Sequence, residues 1–206
     1  VIGQAKFLRA YYYFELVKWF GDVPLAVDKR IQFGDQFSYD RTPKEQVYAQ
    51  IEEDLIFAAA NLPYTQPETG RVTKGAAQAL LGKVYLYQDK FPEAATILED
   101  VINNGPYDLA TDTRTIEGFK IFSIFENDAE NNIESVFEIQ YTDKEGAGFD
   151  CLQCSEGNVA VGFNGIRNYT GPEFDSGFSF NVPTQDVVDE FEDGDDVRKN
   201  TAILDI

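Results

Sequence analysis

From Gly70 to Pro106 the chain reads GRVTKGAAQALLGKVYLYQDKFPEAATILEDVINNGP. Two helix-forming segments are joined there by almost nothing. Thr73 stands at an N-cap position before the first segment, and Asp89-Lys90 interrupts it. Pro92 falls in the first turn of the second segment, and Gly105-Pro106 ends it. A link this short forces the two helices to lie antiparallel and in contact. The small residues Gly75, Ala76 and Ala77 open the first helix, so a neighbour packs closely against that end. The chain is therefore expected to be mainly α, built from packed helix pairs.

The hairpin also fits a tetratricopeptide pattern, with Leu81, Gly82, Tyr85, Ala94 and Pro106 in register. Phe91 and Leu98 fall where that repeat places bulky residues. In this reading Gly82 and Ala94 let the two helices approach, and Tyr85 and Leu98 fill the space beside them. The alternative is an ordinary helical hairpin. Two more helices precede it. Over residues 4–20, Ala5, Leu8, Tyr12, Leu16 and Trp19 recur at spacings of three and four, with Phe7, Tyr11 and Phe14 as a second stripe. Seven of the fourteen residues from Phe7 to Phe20 are aromatic. Apolar residues on more than one face predict a helix buried between neighbours, its rings, Trp19 included, serving as core rather than as a sugar platform. Gly21 is its expected C-terminal cap, and Pro24 prevents resumption. Over 43–61, Thr42 is the expected N-cap, Glu45 completes a capping box, and Val47, Ile51, Leu55, Ala58 and Leu62 form the buried stripe.

Beyond Asp108 the pattern changes. Residues 119–125 are expected to form a short helix, Asn131-Asn132 a turn, and IESVFEIQY at 133–141 a strand by its alternation. Residues 142–183 are rich in Gly, Asn, Phe and Tyr without periodicity, a length that marks a loop with a role. Thr184 is expected to cap a short helix ending at Gly194. The expected organisation is a tetratricopeptide-like helical scaffold over 1–110 and a loop-rich part with short strands and a helix over 111–206, together one continuous domain.

Charge narrows the function. The chain carries 17 basic and 36 acidic residues, a net charge of -19. That field repels nucleic-acid phosphates and anionic lipid surfaces but leaves neutral sugars and peptides open as ligands. With no histidine in the sequence, Ser-His-Asp and Cys-His catalysis and His-ligated metals are excluded from these residues. There is no methionine either, and the first residues already read as helix interior, so an excerpt from a longer precursor is expected.

Several stretches resemble the SusD/RagB family. They are AKFLRAYYYF at 5–14 running into FGDVPL at 20–25, then Arg41-Thr42-Pro43 before Val47-Tyr48 and Glu53-Asp54-Leu55, and GRVTKGAA at 70–77. Glu130-Asn131-Asn132 before Glu134-Ser135-Val136-Phe137-Glu138, and Val182-Pro183-Thr184-Gln185-Asp186 before Phe191-Glu192-Asp193-Gly194-Asp195, follow in the same order. The resemblance implies an α-helical scaffold of tetratricopeptide-like pairs with an irregular ligand-binding half. It implies a non-enzymatic surface lipoprotein of Bacteroidetes that captures glycans, or other nutrients, for a SusC-like TonB-dependent transporter. The lipidated N-terminal cysteine would lie outside this chain. Family chains are commonly about twice this length, so a solenoid cut at both ends is expected to expose apolar faces and not to be an independent stable unit. No cofactor and no metal are implied. A helical-repeat protein-interaction module, peptide binding and a two-carboxylate glycosidase are the competing readings.

Within the loop, GFNGIRNYTGPEFDSGF at 162–178 combines aromatic faces with hydrogen-bonding groups, the usual recipe of a ligand site. Asn164, Arg167, Asn168 and Tyr169 are the expected ligand contacts, against a structural loop whose aromatics plug the scaffold. Cys151 and Cys154 form a lone CxxC without partners for zinc, leaving a local disulfide or two free thiols. The acidic run from Asp189 to Asp196 departs from the EF-hand pattern at Phe191 and Asn200. A solvated or Arg-paired turn, with Arg198 as the candidate partner, competes there with calcium.

Overall fold

A computed structural model describes residues 1–27, 30, 32–34, 39–116, 118–125, 129–141, 160–171 and 176–203. The chain divides into two units, Val1–Leu109 with Ile133–Glu138, and Ala110–Asn132 with Ile139–Ile206.

The first unit holds four long helices: α1 (Ile2–Phe20), α2 (Lys44–Asn61), α3 (Lys74–Leu86) and α4 (Phe91–Asn104). Each packs on the next in sequence, α1 on α2, α2 on α3 and α3 on α4. Phe7, Ala10, Phe14 and Val17 of α1 meet Val47, Ile51, Leu55 and Ala58 of α2, and Ala76, Ala77, Leu81 and Val84 of α3 extend the same core. The expected hairpin is present. A Cβ on Gly82 would stand 2.6 Å from Leu98 Cδ2, so only glycine allows the α3–α4 approach. Ala94 is buried opposite. Thr73 caps α3 as expected, its hydroxyl accepting the Ala76 N–H at 3.1 Å.

The start of α2 differs from expectation. Thr42 belongs to a two-residue strand, β2 (Arg41–Thr42), paired antiparallel with β1 (Val23–Pro24) in the register Val23 to Thr42. No side chain of the expected capping box accepts a first-turn N–H. Asp22 does so from across the β1–β2 pair, its Oδ1 taking the Lys44 N–H at 2.8 Å. A carboxylate there also opposes the positive end of the helix dipole. Gly21 ends α1 at φ 65 with its N–H on Val17 O, as anticipated.

One face of α1 corrects the expectation of burial all round. Gly3, Phe7, Ala10, Phe14 and Val17 are buried, whereas Leu8, Tyr12, Leu16 and Trp19 are exposed, Trp19 to 79%. The helix packs one side on α2. Its charged residues are turned toward partners: Lys6 and Arg9 to Asp54, and Lys18 to Glu15. What remains outward is apolar.

Asp54 is the buried polar centre of this unit. Arg9 Nε donates to its Oδ2 at 2.6 Å and Arg9 Nη2 to its Oδ1 at 2.7 Å. Lys6 Nζ adds a bond at 2.7 Å and Gln50 Nε2 one at 3.3 Å. Burial pushes the Asp54 carboxyl up, but the bonds from Arg9 and Lys6 outweigh it and hold the group below the usual carboxylate range.

Residues 133–141 form no strand among the described residues. Alternation alone cannot make a strand without a partner edge. Ile133 O instead accepts the Asp108 N–H at 3.2 Å, and Phe137 packs edge-on to Phe7 at 5.7 Å.

In the second unit, residues 119–125 are not the expected helix. β3 (Thr113–Ile116) and β4 (Phe119–Phe122) pair antiparallel, and a 3-10 turn covers Ser123–Phe125. Gly118 supplies the positive φ, 88, that so tight a connection needs. Three short helices follow: α5 (Ala160–Asn164), α6 (Gln185–Asp189) and α7 (Asp196–Ala202). α7 packs on β4, where the Phe122 N–H bonds Thr201 Oγ1 at 2.8 Å. Thr184 precedes α6 without making a side-chain cap bond.

Candidate functional site

The segment 160–180 is organised by the C-terminal end of α5. A helix of five residues leaves nearly all its carbonyls without helical partners. Residues 177–180 run alongside and donate to two of these carbonyls and to two just beyond the helix. The Phe178 N–H bonds Gly162 O at 2.8 Å, and the Phe180 N–H bonds Phe163 O at 2.8 Å. The Ser179 N–H bonds Gly165 O at 3.0 Å, and the Gly177 N–H bonds Ile166 O at 2.9 Å. Arg167 and Gly177 form a parallel bridge. The approach is close enough that a Cβ on Gly177 would stand 2.6 Å from the Gly165 carbonyl carbon.

Each expected contact residue has a defined place in this segment. Asn164 is exposed at the last position of α5. Arg167 is exposed and lies against the backbone of 177–180, donating from Nε at 3.1 Å and from Nη2 at 2.7 Å to Phe178 O. Its N–H bonds Ser179 Oγ at 2.8 Å. Asn168 takes a left-handed conformation, φ 61, in the turn that follows, a backbone state asparagine tolerates better than most residues. Tyr169 is half-buried and its ring lies over Gly171, where a Cβ would collide with it.

The same hydrogen bonds bring together three rings that were not singled out from the sequence. Phe178 and Phe180 stack with centroids 5.3 Å apart and planes 16° apart. Phe163 joins them at 6.1 Å from Phe180 and 6.4 Å from Phe178. Phe178 is 47% exposed and Phe180 68%. No periodicity in the sequence signals this grouping: Ser179, between Phe178 and Phe180, takes a positive φ of 51, so the rings are not brought together by strand alternation.

Elsewhere the structure offers less for a polar ligand. In the first unit an open hollow of about 500 Å³ is lined by Ile56, Leu81, Tyr85, Pro92, Glu93, Thr96 and Ile97. It is largely apolar, and the Thr96 hydroxyl is engaged with Pro92 O at 2.9 Å. In the acidic turn, Asp195 pairs with Arg198 at 3.1 Å, the partner expected from the sequence, and Arg198 lies over the Phe191 ring at 5.7 Å. Cys151 and Cys154 lie outside the described residues. Among the described residues no helix is long and apolar enough to cross a membrane.

The helical scaffold followed by an irregular unit recurs in solved SusD-like structures. The family model for SusD-like proteins, "starch-binding associating with outer membrane", matches residues 1–86. A SusD-like protein of Formosa agariphila is 31% identical over 98% of this chain. A SusD-like protein of Bacteroides fragilis superposes over 95% of the chain with 31% identity and a TM-score of 0.70. A laminarin-binding SusD-like protein superposes over 91% with 33% identity and a TM-score of 0.73. The chain belongs to the SusD-like family. It spans 38% of the length of the Formosa agariphila relative, 36% of the Bacteroides fragilis protein and 42% of the laminarin-binding one.

Proposed function

We propose that this chain is the glycan-capturing part of a non-enzymatic surface protein. It binds neutral oligosaccharides and delivers them to a SusC-like TonB-dependent outer-membrane transporter. The observation that carries this reading is its likeness, over 91% of its residues, to a SusD-like protein that binds laminarin. The charge of -19 supports a neutral ligand over an anionic one. We place the sugar contact in the second part of the chain, 111–206, around Asn164, Arg167, Asn168 and Tyr169, with residues 1–110 as its scaffold. Transporter partnership and a lipid anchor on a cysteine outside this chain rest on family membership.

Affinity electrophoresis of the 206-residue chain through gels containing laminarin, starch, xyloglucan, galactan and mannan tests the reading. Retardation by at least one neutral polysaccharide, without release of reducing sugar, is expected. Unchanged mobility in every gel would favour the rival reading, a helical-repeat module that binds protein only.

A further inference from the structure

We propose that Phe163, Phe178 and Phe180 form the sugar-stacking surface, and that it takes a neutral hexopyranose through its apolar C–H face. The proposal rests on the glycan-binding reading and names the surface within it.

Two large apolar side chains, Phe178 and Phe180, stay exposed although a third ring lies beside them. Isolated exposed rings are ordinary on protein surfaces, but three in mutual contact form a patch. The patch is also held in place. Phe178 and Phe180 sit on a segment whose N–H groups bond the Gly162, Phe163, Gly165 and Ile166 carbonyls. The Phe178 carbonyl accepts two further bonds from Arg167. A platform fixed by its backbone before the ligand arrives loses little conformational freedom on binding. The close approach of Gly165 and Gly177 makes this geometry possible, since a side chain on Gly177 would drive the two segments apart.

The chemistry of the surface selects its ligand. Phenylalanine has no donor or acceptor, so the rings read C–H groups and not hydroxyls. Sugars with mainly equatorial hydroxyls, as in a β-linked glucan, present such C–H faces. The charge of the chain, -19, opposes a uronate or sulfate.

The test uses the 206-residue chain, laminarin as probe, and calorimetry with affinity electrophoresis. Phe178→Ala and Phe180→Ala are each expected to weaken laminarin binding by about tenfold, the scale of one lost aromatic contact. Thermal melting checks that each variant folds. As a second readout, Trp19→Phe combined with Phe180→Trp moves the only tryptophan onto the platform, where laminarin is expected to shift its emission. If the wild-type chain binds laminarin while both alanine variants bind equally well, or the relocated tryptophan does not respond at saturation, the platform is overturned and glycan binding stands. If the wild-type chain binds none of the polysaccharides, both fall.

Discussion

Arg9 grips Asp54 with two parallel bonds, Nε to Oδ2 at 2.6 Å and Nη2 to Oδ1 at 2.7 Å, and so ties α1 to α2 across an otherwise apolar interface. The Asp54 side chain is buried, whereas those of Arg9 and Lys6 are 32% and 22% exposed. Removing the carboxylate leaves two cations facing the core, although both can turn partly to water. Asp54→Ala is expected to destabilise the chain by about 3 kcal/mol, at the low end for a broken buried pair. Urea unfolding followed by circular dichroism measures it.

The same cluster sets a pH dependence. Burial raises the Asp54 carboxyl, but the bonds from Arg9 and Lys6 bring it to a net value below normal. The ionised form is therefore favoured in the folded state. Its stabilisation is fully present above the unfolded carboxylate value of about 3.9 and is lost as pH falls through the lower folded value. Asp100, lowered by bonds from Asn104 and Gln78, acts with the same sign. Urea midpoints should fall on acidification below about pH 4. The fall should be shallower in Asp54→Asn; an equal slope would remove Asp54 from the account.

Gly82 sets the spacing of α3 and α4. A methyl group there would meet Leu98 Cδ2 at 2.6 Å and Cγ at 2.7 Å. Gly82→Ala is expected to destabilise by about 1–3 kcal/mol through overpacking. Leu98→Ala in the same chain should relieve the clash, so a double-mutant cycle should give less than the sum of the two single effects.

The α2 cap lies at Asp22 and not at Thr42. Asp22→Ala should lower stability by about 1 kcal/mol, whereas Thr42→Ala should be close to neutral. Thermal melts of the two variants, compared side by side, separate the remote cap from the local capping box.

Trp19, the only tryptophan, is 79% exposed. Acrylamide should quench the folded chain nearly as well as the urea-unfolded one. Strong protection in the native state would show that the outer face of α1 is covered in solution.

The helices were legible because each carries its own signals. Apolar residues at spacings of three and four, Thr73 as cap, Gly21 and Gly105-Pro106 as stops and Gly82 opposite Leu98 are local chemistry, and α1 to α4 follow from them. Family membership was legible for the same reason, since its motifs lie in those helices and their turns. Other features depended on partners distant in sequence. Both stripes of α1 are apolar, and only packing on α2 decided that Phe7 and Phe14 go inside while Trp19 stays out. Residues 133–141 alternate like a strand, but a strand needs an edge to pair with, and among the described residues they pair with none. The cap of α2 came from Asp22 because β1 and β2 pair. At the candidate site, composition alone marked residues 162–178 as the candidate ligand segment. The tertiary structure turned Arg167 onto the Phe178 carbonyl and gathered Phe163, Phe178 and Phe180, because the N–H groups of 177–180 pair with carbonyls at the end of α5 and just beyond it, a pairing between residues more than ten apart that no local signal encodes.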